Sequence, residues 1–457
     1  MRFPNRRSRA SVSSARWSSS VSISLMQRCT CGVTGRVSTF TWLSGARASL
    51  ELAWIGWYEG PAFRNAVWSR STLLLVRRLL LALVLTFAGL NQAWANPMLL
   101  VDRATLQVLY AEEAGQPWHP ASLTKLMTAY VTFEELAKGT VTLDTPVTIS
   151  RNAYNQAPSK SGLKIDSTVS LKDALYILVV KSANDIAVAI AETVGGSESD
   201  FVAKMNETAG RMGLTATNFV NPHGLHDPRQ VSSARDMAII ALYIEQSFPQ
   251  YMPMFRTGVV NLGKARHESN NGLLEGFAGT TGMKTGYVCA SGLNIVATVN
   301  RNGRQLLAVV LGGSSGRERN ERAAELFLNA LGGRLQPTGQ SVLSLANAVG
   351  AAPVDMRPLI CGKDAKEYVA AQEAAFPMGL KDQPSYLTEE LAVVEYTAID
   401  LGRIRTGIAL PRPRPAHMPI FGTPAPVESA AIENVLRPGL TAGGLDIALP
   451  RPRPADL

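Results

Sequence analysis

The sequence predicts an α+β fold for residues 97–335, in which helices flank an antiparallel sheet and a helical subdomain is inserted into the chain. Two observations support this prediction. Short apolar segments with the pattern of strands stand at both ends of the region, and longer segments with helical periodicity lie between them. Since strands from both ends then belong to one sheet, the helices between them form the insertion.

The region begins with a predicted hairpin, because "MLLVD" and "QVLYAEE" bracket a short polar turn after Met98. The next segment, "SLTKLMTAYVTFEELAKG", has apolar residues at helical spacing and stops at Gly139, which predicts a buried helix. Two further helical runs follow in "SLKDALYILVVKSANDIAVAIAETVGG", and they join or break around residues 181–184.

Strand patterns return near residue 283, in "GMKTGYV", "LNIVATVN" and "RQLLAVVLGG". Asn302 and Gly303 separate the last two segments, and this dipeptide is a strong signal for a two-residue hairpin. The amphipathic pattern of "ERNERAAELFLNALGG" then predicts a closing helix that ends in glycine.

The first 95 residues differ from the rest of the chain in charge. They contain 12 arginines, no lysine and two glutamates, whereas the remainder has 33 basic and 34 acidic side chains. Arg77-Arg78, the apolar run Leu79–Leu90 and Ala93-Trp94-Ala95 predict a signal peptide at residues 76–95, cleaved near Ala95. We therefore expect an exported protein of the periplasm or cell envelope, and the near-neutral remainder gives no reason to expect a nucleic-acid partner.

Residues 1–75 precede this signal as a doubtful N-terminal extension, and we hypothesise that translation starts near Val67–Val76 instead. Cys29 and Cys31 fall in the extension, which leaves Cys289 and Cys361 in the mature chain. Export allows a disulfide between these two. Two cysteines in separate segments of the sequence are weak support for a disulfide, so the pairing stays open.

Residues 336–457 are rich in Ala, Pro and Gly, which predicts a largely flexible C-terminal region. One folded patch is expected around "KEYVAAQEAAFPMG" and "EELAVVEY". The segment "ALPRPRPA" occurs twice, within residues 408–417 and 447–456. Alternating Pro and Arg favours polyproline II, which suits a flexible spacer or a recognition peptide, and the sequence does not identify a partner for it.

Ser122 and Lys125 form the first candidate catalytic pair. A hydroxyl needs a neighbouring base to act as a nucleophile, and a lysine three residues along a helix lies on the same face. Lys125 can accept a proton only when neutral, which requires burial or a second cation nearby. The spacing alone decides little, because a helix-capping serine beside an exposed lysine is the commoner arrangement.

Two further motifs follow in order. Ser182-Ala183-Asn184 offers a hydroxyl and an amide that suit proton transfer to a leaving amine and contact with a substrate amide. Lys284-Thr285-Gly286 lies on a predicted edge strand, with a cation and a hydroxyl for a carboxylate and a glycine that allows close backbone approach. Each motif is frequent alone, but chance is a poor explanation for all three in this order.

The ordered set "SLTK", "SAN" and "KTG" resembles the motifs of the penicillin-recognising serine enzymes. The surrounding sequence, over about residues 97–335, is similar to that of serine D-alanyl-D-alanine carboxypeptidases, the low-molecular-mass penicillin-binding proteins. The similar segments include "NFVNPHGLHDPRQVSSARDMAIIA" and "GMKTGYVCASGLNIVATV". The resemblance implies a serine β-lactamase or transpeptidase-like fold. It also implies removal of the terminal D-Ala from peptidoglycan pentapeptide stems through an acyl-enzyme, with β-lactams as inhibitors and without cofactor or metal.

The resemblance assigns roles to the first two motifs. Ser122 would be the acyl-enzyme nucleophile and Lys125 its general base. Ser182 would relay the proton to the departing D-Ala, and Asn184 would orient the acyl side of the substrate.

In the third motif, Lys284, Thr285 and Gly286 would bind the terminal carboxylate, and the charge of Lys284 would favour neutral Lys125. The backbone N–H of Tyr287, with that of Ser122, would form the oxyanion hole. Two features depart from the family. Tyr287-Val288-Cys289 follows Gly286 where many relatives have His-Thr, and the proline-rich ending does not look like a terminal anchor helix. Membrane association therefore stays open.

Two alternatives share this fold. A D,D-endopeptidase of peptidoglycan cross-links is not separated from a carboxypeptidase by sequence. A class A β-lactamase would need a glutamate to activate the deacylating water, and there is none between Glu207 and Glu245. The middle motif is also Ser-Ala-Asn instead of Ser-Asp-Asn, so fast β-lactam turnover is not expected.

Two other classes are also considered. A zinc peptidase could use His223 and His226 with Asp227, but the remaining histidines, His119, His267 and His417, show no ligand spacing to them. A non-catalytic cell-wall-binding protein would use the fold and the Pro-Arg tail for adhesion, and the intact set of three motifs argues against it.

Overall fold

The structure, a computed structural model, describes residues 96–403 and the backbone of residues 441–442 and 445–446. All of these belong to one of the two compact units of the chain, Gln92–Leu457. The predicted N-terminal extension, the signal peptide and both copies of the Pro-Arg segment lie outside the described residues, so they stay predictions.

The described strands and helices have the following bounds. The strands are β1 (Met98–Asp102), β2 (Gln107–Glu112), β3 (Pro146–Thr148), β4 (Ser167–Ser170), β5 (Val259–Leu262), β6 (Ala265–Glu268), β7 (Thr280–Val288), β8 (Gly292–Arg301), β9 (Arg304–Gly313), β10 (Glu395–Ala398), β11 (Gly402–Arg403), β12 (Thr441–Ala442) and β13 (Leu445–Asp446). The helices are α1 (Lys125–Lys138), α2 (Arg151–Tyr154), α3 (Leu171–Val180), α4 (Asn184–Gly195), α5 (Glu198–Arg211), α6 (Ala234–Ser247), α7 (Met252–Arg256), α8 (Leu273–Gly276), α9 (Gly316–Leu331), α10 (Arg357–Ile360) and α11 (Ala365–Ala375).

A five-stranded antiparallel sheet with the order β2-β1-β9-β8-β7 unites both ends of the domain, as predicted. Asn302 and Gly303 form the two-residue loop between β8 and β9, and both have the positive φ that a hairpin turn of this kind requires. The central strands are buried on both faces, which explains their nearly continuous apolar sequences. Ile295 and Ala297 pack with α9, whereas Val296 joins the larger core on the other face.

The helical insertion surrounds α1, in which every residue from Lys125 to Phe133 is buried. Helix α1 contacts α4, α5 and α6. The break predicted around residues 181–184 is present, since α3 ends at Val180 and α4 begins at Asn184. None of the described helices has the length and the apolar composition that crossing a bilayer requires.

Residues 336–403, which we name the C-terminal belt, pack against this domain. Strand β10 pairs with β5 and strand β11 pairs with β4, while Val342, Met356 and Phe376 are buried. The sequence predicts a largely flexible region from residue 336 with one folded patch around "KEYVAAQEAAFPMG" and "EELAVVEY", where α11 and β10 lie, but residues 336–403 are packed more extensively than that. The reason is that few, widely spaced apolar residues make the contacts, so the Ala-rich and Pro-rich composition hides them. The domain boundaries themselves stay predictions.

Cys289 and Cys361 are joined by a disulfide with a Cα–Cα distance of 5.6 Å. Cys289 lies in the turn between β7 and β8, and Cys361 directly follows α10. The pairing that the sequence left open is therefore present. It fastens the C-terminal belt to the edge of the main sheet.

We predict that the substitution Val342→Asp destabilises the protein by about 2 kcal/mol or more, because it buries a carboxylate without a partner. Val342 is fully buried, whereas Val349 in the same belt is 71% exposed. Val349→Asp is therefore the matched control and should leave the melting temperature unchanged. Thermal unfolding of both variants measures the difference, and equal melting temperatures would show that the belt does not pack as described.

Candidate active site

The three motifs meet at one cleft of about 520 Å³. Ser122, Ser182, Thr285, Gly286 and Tyr287 all border it. The first motif comes from the turn before α1, the second from the break between α3 and α4, and the third from the edge strand β7. The cleft therefore lies between the edge of the main sheet and the helical insertion.

Ser122 lies in a 3-10 turn, Ala121–Thr124, that leads into α1. The common alternative for such a serine is a helix cap, but neither the turn nor α1 has a side-chain capping hydrogen bond. Asn294 of β8 fixes the turn, since its Nδ2 donates to the carbonyls of His119 at 3.0 Å and Pro120 at 3.2 Å. The central sheet thus positions the serine directly.

Backbone contacts from two sides confine this turn. A Cβ atom on Gly286 would lie 3.0 Å from the backbone nitrogen of Ser122, and one on Gly224 would lie 1.9 Å from the carbonyl oxygen of Ala121. Ala121 itself has a φ of 50°, a left-handed conformation that costs a non-glycine residue about 1 kcal/mol. Because residues 224 and 286 are both glycines, their backbones can lie this close to the turn that carries Ser122.

Lys125 is the centre of the site and is only 1% exposed. Its Nζ lies 3.0 Å from Ser122 Oγ, and it contacts Asn184 Oδ1 at 2.8 Å and the carbonyl oxygen of His223 at 2.6 Å. Burial, followed by the positive charge of Lys284, lowers the pKa of Lys125 well below its ordinary value, against a weaker opposing effect of Asp185. The neutral form that a general base needs is therefore favoured.

Lys284 is the second buried lysine. Its Nζ donates to the carbonyl oxygen of Thr285 at 3.0 Å. Burial, and then the positive charge of Arg319, lowers the pKa of Lys284 to about 7. Near neutral pH this group is close to its own titration point, and an anion in the cleft would hold it in the charged form.

The two members of the middle motif differ in their surroundings. Asn184 uses its amide on Lys125 and on the carbonyl oxygen of Ala157, to which Nδ2 donates at 3.2 Å. It is not among the residues that border the cleft, whereas the resemblance places it on the acyl side of the substrate. Ser182 borders the cleft, has a φ of 59°, and its buried Oγ has no hydrogen-bond partner among the described residues. The structure thus leaves this hydroxyl available to a ligand.

Two further residues of the site were missed by the sequence reasoning. Arg319, in the first turn of α9, is 4% exposed, borders the cleft, and donates to the carbonyl oxygen of Asn270 at 2.6 Å. Burial lowers its pKa to about 10. An arginine at a helix N-terminus, where the dipole favours anions, is a signal that could have found it. His223 contributes its backbone carbonyl, and no side-chain pattern reveals such a role.

The histidines of the zinc alternative lie on the loop beside Lys125. Burial, and then the charge of Lys125, lowers the pKa of His223 to about 3, and its Nδ1 accepts from the backbone nitrogen of Leu225. The ring of His226 packs edge-on against His119, with ring centroids 4.7 Å apart. Within residues 96–403, no group of three or more His, Cys, Asp or Glu side chains lies close enough to hold a metal ion.

Known proteins are similar to the part of the chain that carries this site. The sequence pattern of the D-alanyl-D-alanine carboxypeptidase family matches residues 86–315. The carboxypeptidase DacA of Haemophilus influenzae is 37% identical over 226 residues, which are 48% of this chain and 58% of that protein. DacD of Escherichia coli is 35% identical over 240 residues, which are 51% of this chain and 62% of that protein. The match thus spans about three fifths of these relatives.

A solved structure supports the same assignment. The crystal structure of the D-alanyl-D-alanine carboxypeptidase DacD from Francisella tularensis superposes with a TM-score of 0.50 and 27% identity, and the match covers 52% of this chain and 71% of that one. The predicted α+β, transpeptidase-like fold is confirmed. The chain belongs to the D-alanyl-D-alanine carboxypeptidase family.

Proposed function

We propose that the protein is a serine D-alanyl-D-alanine carboxypeptidase, which removes the terminal D-Ala from the pentapeptide stems of peptidoglycan through an acyl-enzyme and is inhibited by β-lactams. The contacts of Lys125 Nζ carry this proposal. A neutral amine has two N–H donors and one lone pair. Of the three oxygens around Nζ, the amide oxygen of Asn184 and the carbonyl of His223 can only accept, whereas the hydroxyl of Ser122 can donate. The lone pair is thereby directed to the Ser122 proton.

In the first step Lys125 takes the hydroxyl proton while Ser122 attacks the carbonyl carbon of the penultimate D-Ala. A serine hydroxyl is a weak nucleophile at its own pKa, and a base within hydrogen-bond distance is what activates it. The 3.0 Å separation of Lys125 Nζ and Ser122 Oγ meets that requirement before substrate binds.

The oxyanion that develops in this step would be bound by the backbone N–H groups of Ser122 and Tyr287. The close approach of Gly286 to the backbone nitrogen of Ser122 supports this, because it brings strand β7 beside the turn that carries the nucleophile. Each such donor is typically worth about 3 kcal/mol of transition-state stabilisation.

The terminal carboxylate of the substrate would lie against Thr285, Lys284 and Arg319. Arg319 and Thr285 border the same cleft, and the carboxylate would offset the mutual repulsion of the two buried cations.

The proton held by Lys125 must reach the amine of the departing D-Ala. Ser182 suits this relay, because the residue borders the cleft and its buried hydroxyl has no other partner among the described residues. A water molecule would then release the acyl group from Ser122, with Lys125 again as base. No cofactor is needed at any step.

We further propose that the enzyme acts in the periplasm or cell envelope, after removal of residues 76–95. The substrate supports this location, because peptidoglycan lies outside the cytoplasmic membrane. The Pro-Arg segments of the C-terminal region would contact the wall or act as spacers.

The experiment that tests this function is labelling with a fluorescent penicillin. We predict that Ser122→Ala abolishes the label, since the acyl bond forms on the Ser122 oxygen, and that peptide hydrolysis falls about a thousandfold or more. Ser199→Ala, an exposed serine on α5, is the control and should label like the wild type. Retained labelling of Ser122→Ala would show that another residue is the nucleophile.

The substitution Lys284→Gln should move the acid limb of the acylation pH profile to higher pH. The positive charge of Lys284 lowers the pKa of Lys125, so its removal raises that pKa and extends the range in which Lys125 is protonated and inactive. The rate constant for penicillin acylation against pH measures the shift. Lys264→Gln, at an exposed position, is the control. An unmoved limb would contradict the assignment of Lys125 as the base.

Product analysis on isolated peptidoglycan separates the remaining alternatives. We predict release of free D-Ala with no loss of dimeric muropeptides, because the chain belongs to the D-alanyl-D-alanine carboxypeptidase family. Loss of dimers without free D-Ala would identify an endopeptidase. Hydrolysis of penicillin at many turnovers per second, with D-Ala-D-Ala peptides left intact, would identify a β-lactamase.

A further inference from the structure

Tyr287 is a large apolar side chain that remains 51% exposed at the border of the cleft. It directly follows the third motif, near the end of strand β7. An aromatic ring that is half exposed beside a nucleophile offers a large, rigid surface to a ligand. The proposed oxyanion contact uses only the backbone of Tyr287, so its ring is free to make a separate contact with a ligand.

The Cys289–Cys361 disulfide contacts the hydroxyl end of the Tyr287 side chain. The hydroxyl oxygen of Tyr287 lies 3.3 Å from Sγ of Cys361 and 3.9 Å from Sγ of Cys289. Both sulfur atoms therefore contact the polar end of the side chain. In addition, Cys289 is only two residues from Tyr287 in the same hairpin.

The belt holds the other half of the disulfide in place. The backbone nitrogen of Met356 donates to the carbonyl oxygen of Ala290 at 3.0 Å, and the Met356 side chain is buried against Gly292. Helix α10 begins at the next residue and ends directly before Cys361. Hence the contacts of Met356 hold the start of α10, and with it Cys361 and the disulfide, beside the hairpin.

The direction of strand β7 indicates which part of the substrate the ring faces. Residues two apart in a strand share a face and are separated by roughly 6.6 Å, so Tyr287 follows Thr285 on the same face. If the carboxylate lies at Thr285 and the scissile carbonyl at the backbone nitrogen of Tyr287, the next part of the peptide lies beside the ring. This is the acyl side, the residue that precedes the penultimate D-Ala. This step rests on the proposed function.

We propose that Tyr287 determines affinity for the acyl side of the stem peptide, and that the Cys289–Cys361 disulfide is a positioning device that holds its ring at the cleft. The ring packs on the peptide plane and the aliphatic part of the residue before the penultimate D-Ala. The disulfide itself does not touch the substrate and acts only through the ring.

A double-mutant cycle tests this proposal with two probes. The longer probe is diacetyl-L-Lys-D-Ala-D-Ala, and the shorter one is N-acetyl-D-Ala-D-Ala, which lacks the residue that the ring would contact. We expect Tyr287→Ala to lower kcat/KM for the longer probe roughly five- to tenfold more than for the shorter probe, mainly through KM. Tyr287→Phe keeps the ring but loses the hydroxyl that contacts both sulfur atoms, so it should lower kcat/KM for the longer probe as much as removal of the disulfide does.

Removal of the disulfide, by Cys289→Ala together with Cys361→Ala, should reproduce the loss on the longer probe. When added to Tyr287→Ala, it should cause no further loss, because both changes remove the same interaction. Additive losses, or equal losses on both probes, would overturn the proposal. If the cysteine variant does not fold, reduction of the wild-type disulfide with a phosphine and blocking of the thiols gives the same comparison.

Labelling by fluorescent penicillin separates this inference from the proposed function. Variants that label normally on Ser122 and show an unchanged kcat/KM for the longer probe would disprove the role of Tyr287 and leave the carboxypeptidase in place. A wild-type protein that does not label at Ser122 would disprove the carboxypeptidase itself.

Discussion

The burial of Lys125 is the constraint on which the rest of the site depends. An isolated ammonium group in such a position costs several kcal/mol, and the protein reduces that cost by shifting the group toward its neutral form. Three separate segments supply the oxygens that surround it: the turn before α1, the start of α4 and the loop at His223. Each segment must therefore be fixed in place before the lysine can act as a base.

Gln230 shows how the third of these segments is fixed. This residue is 1% exposed, and its Oε1 accepts from the backbone nitrogens of Val220 and Asn221 while its Nε2 donates to Thr124 Oγ1. The loop that offers its carbonyl to Lys125 is thus tied to the turn that carries Ser122. A buried, fully bonded amide of this kind fixes the relative position of two segments more than it adds net stability.

Much of the fold and part of the site could be predicted from the sequence. The apolar runs of β1, β8 and β9, the Asn302-Gly303 turn and the spacing of Ser122 and Lys125 are local patterns, so they can be read directly. The position of Arg319 at a helix N-terminus is also a local signal, but its role in the site depends on the cleft that α9 borders. Within the belt, the folded patch expected at "KEYVAAQEAAFPMG" and "EELAVVEY" overlaps with α11 and β10, whereas buried residues such as Val342 are too widely spread through an Ala-rich and Pro-rich segment to be predicted. Asn184 was identified, but its contact with Lys125 depends on how two distant helices meet.

The pairing of β1 with β9 determines when this site can form. Leu100 of β1 pairs with Ala308 of β9, across nearly the whole domain. During synthesis Ser122 and Lys125 emerge from the ribosome early, yet β8, whose Asn294 fixes the serine turn, and Arg319 follow only near the end of the domain. Such long-range pairing is associated with slow folding. The nascent chain would therefore carry the proposed nucleophile without the environment that activates it, and the proposed activity would arise only when the last strands join the sheet.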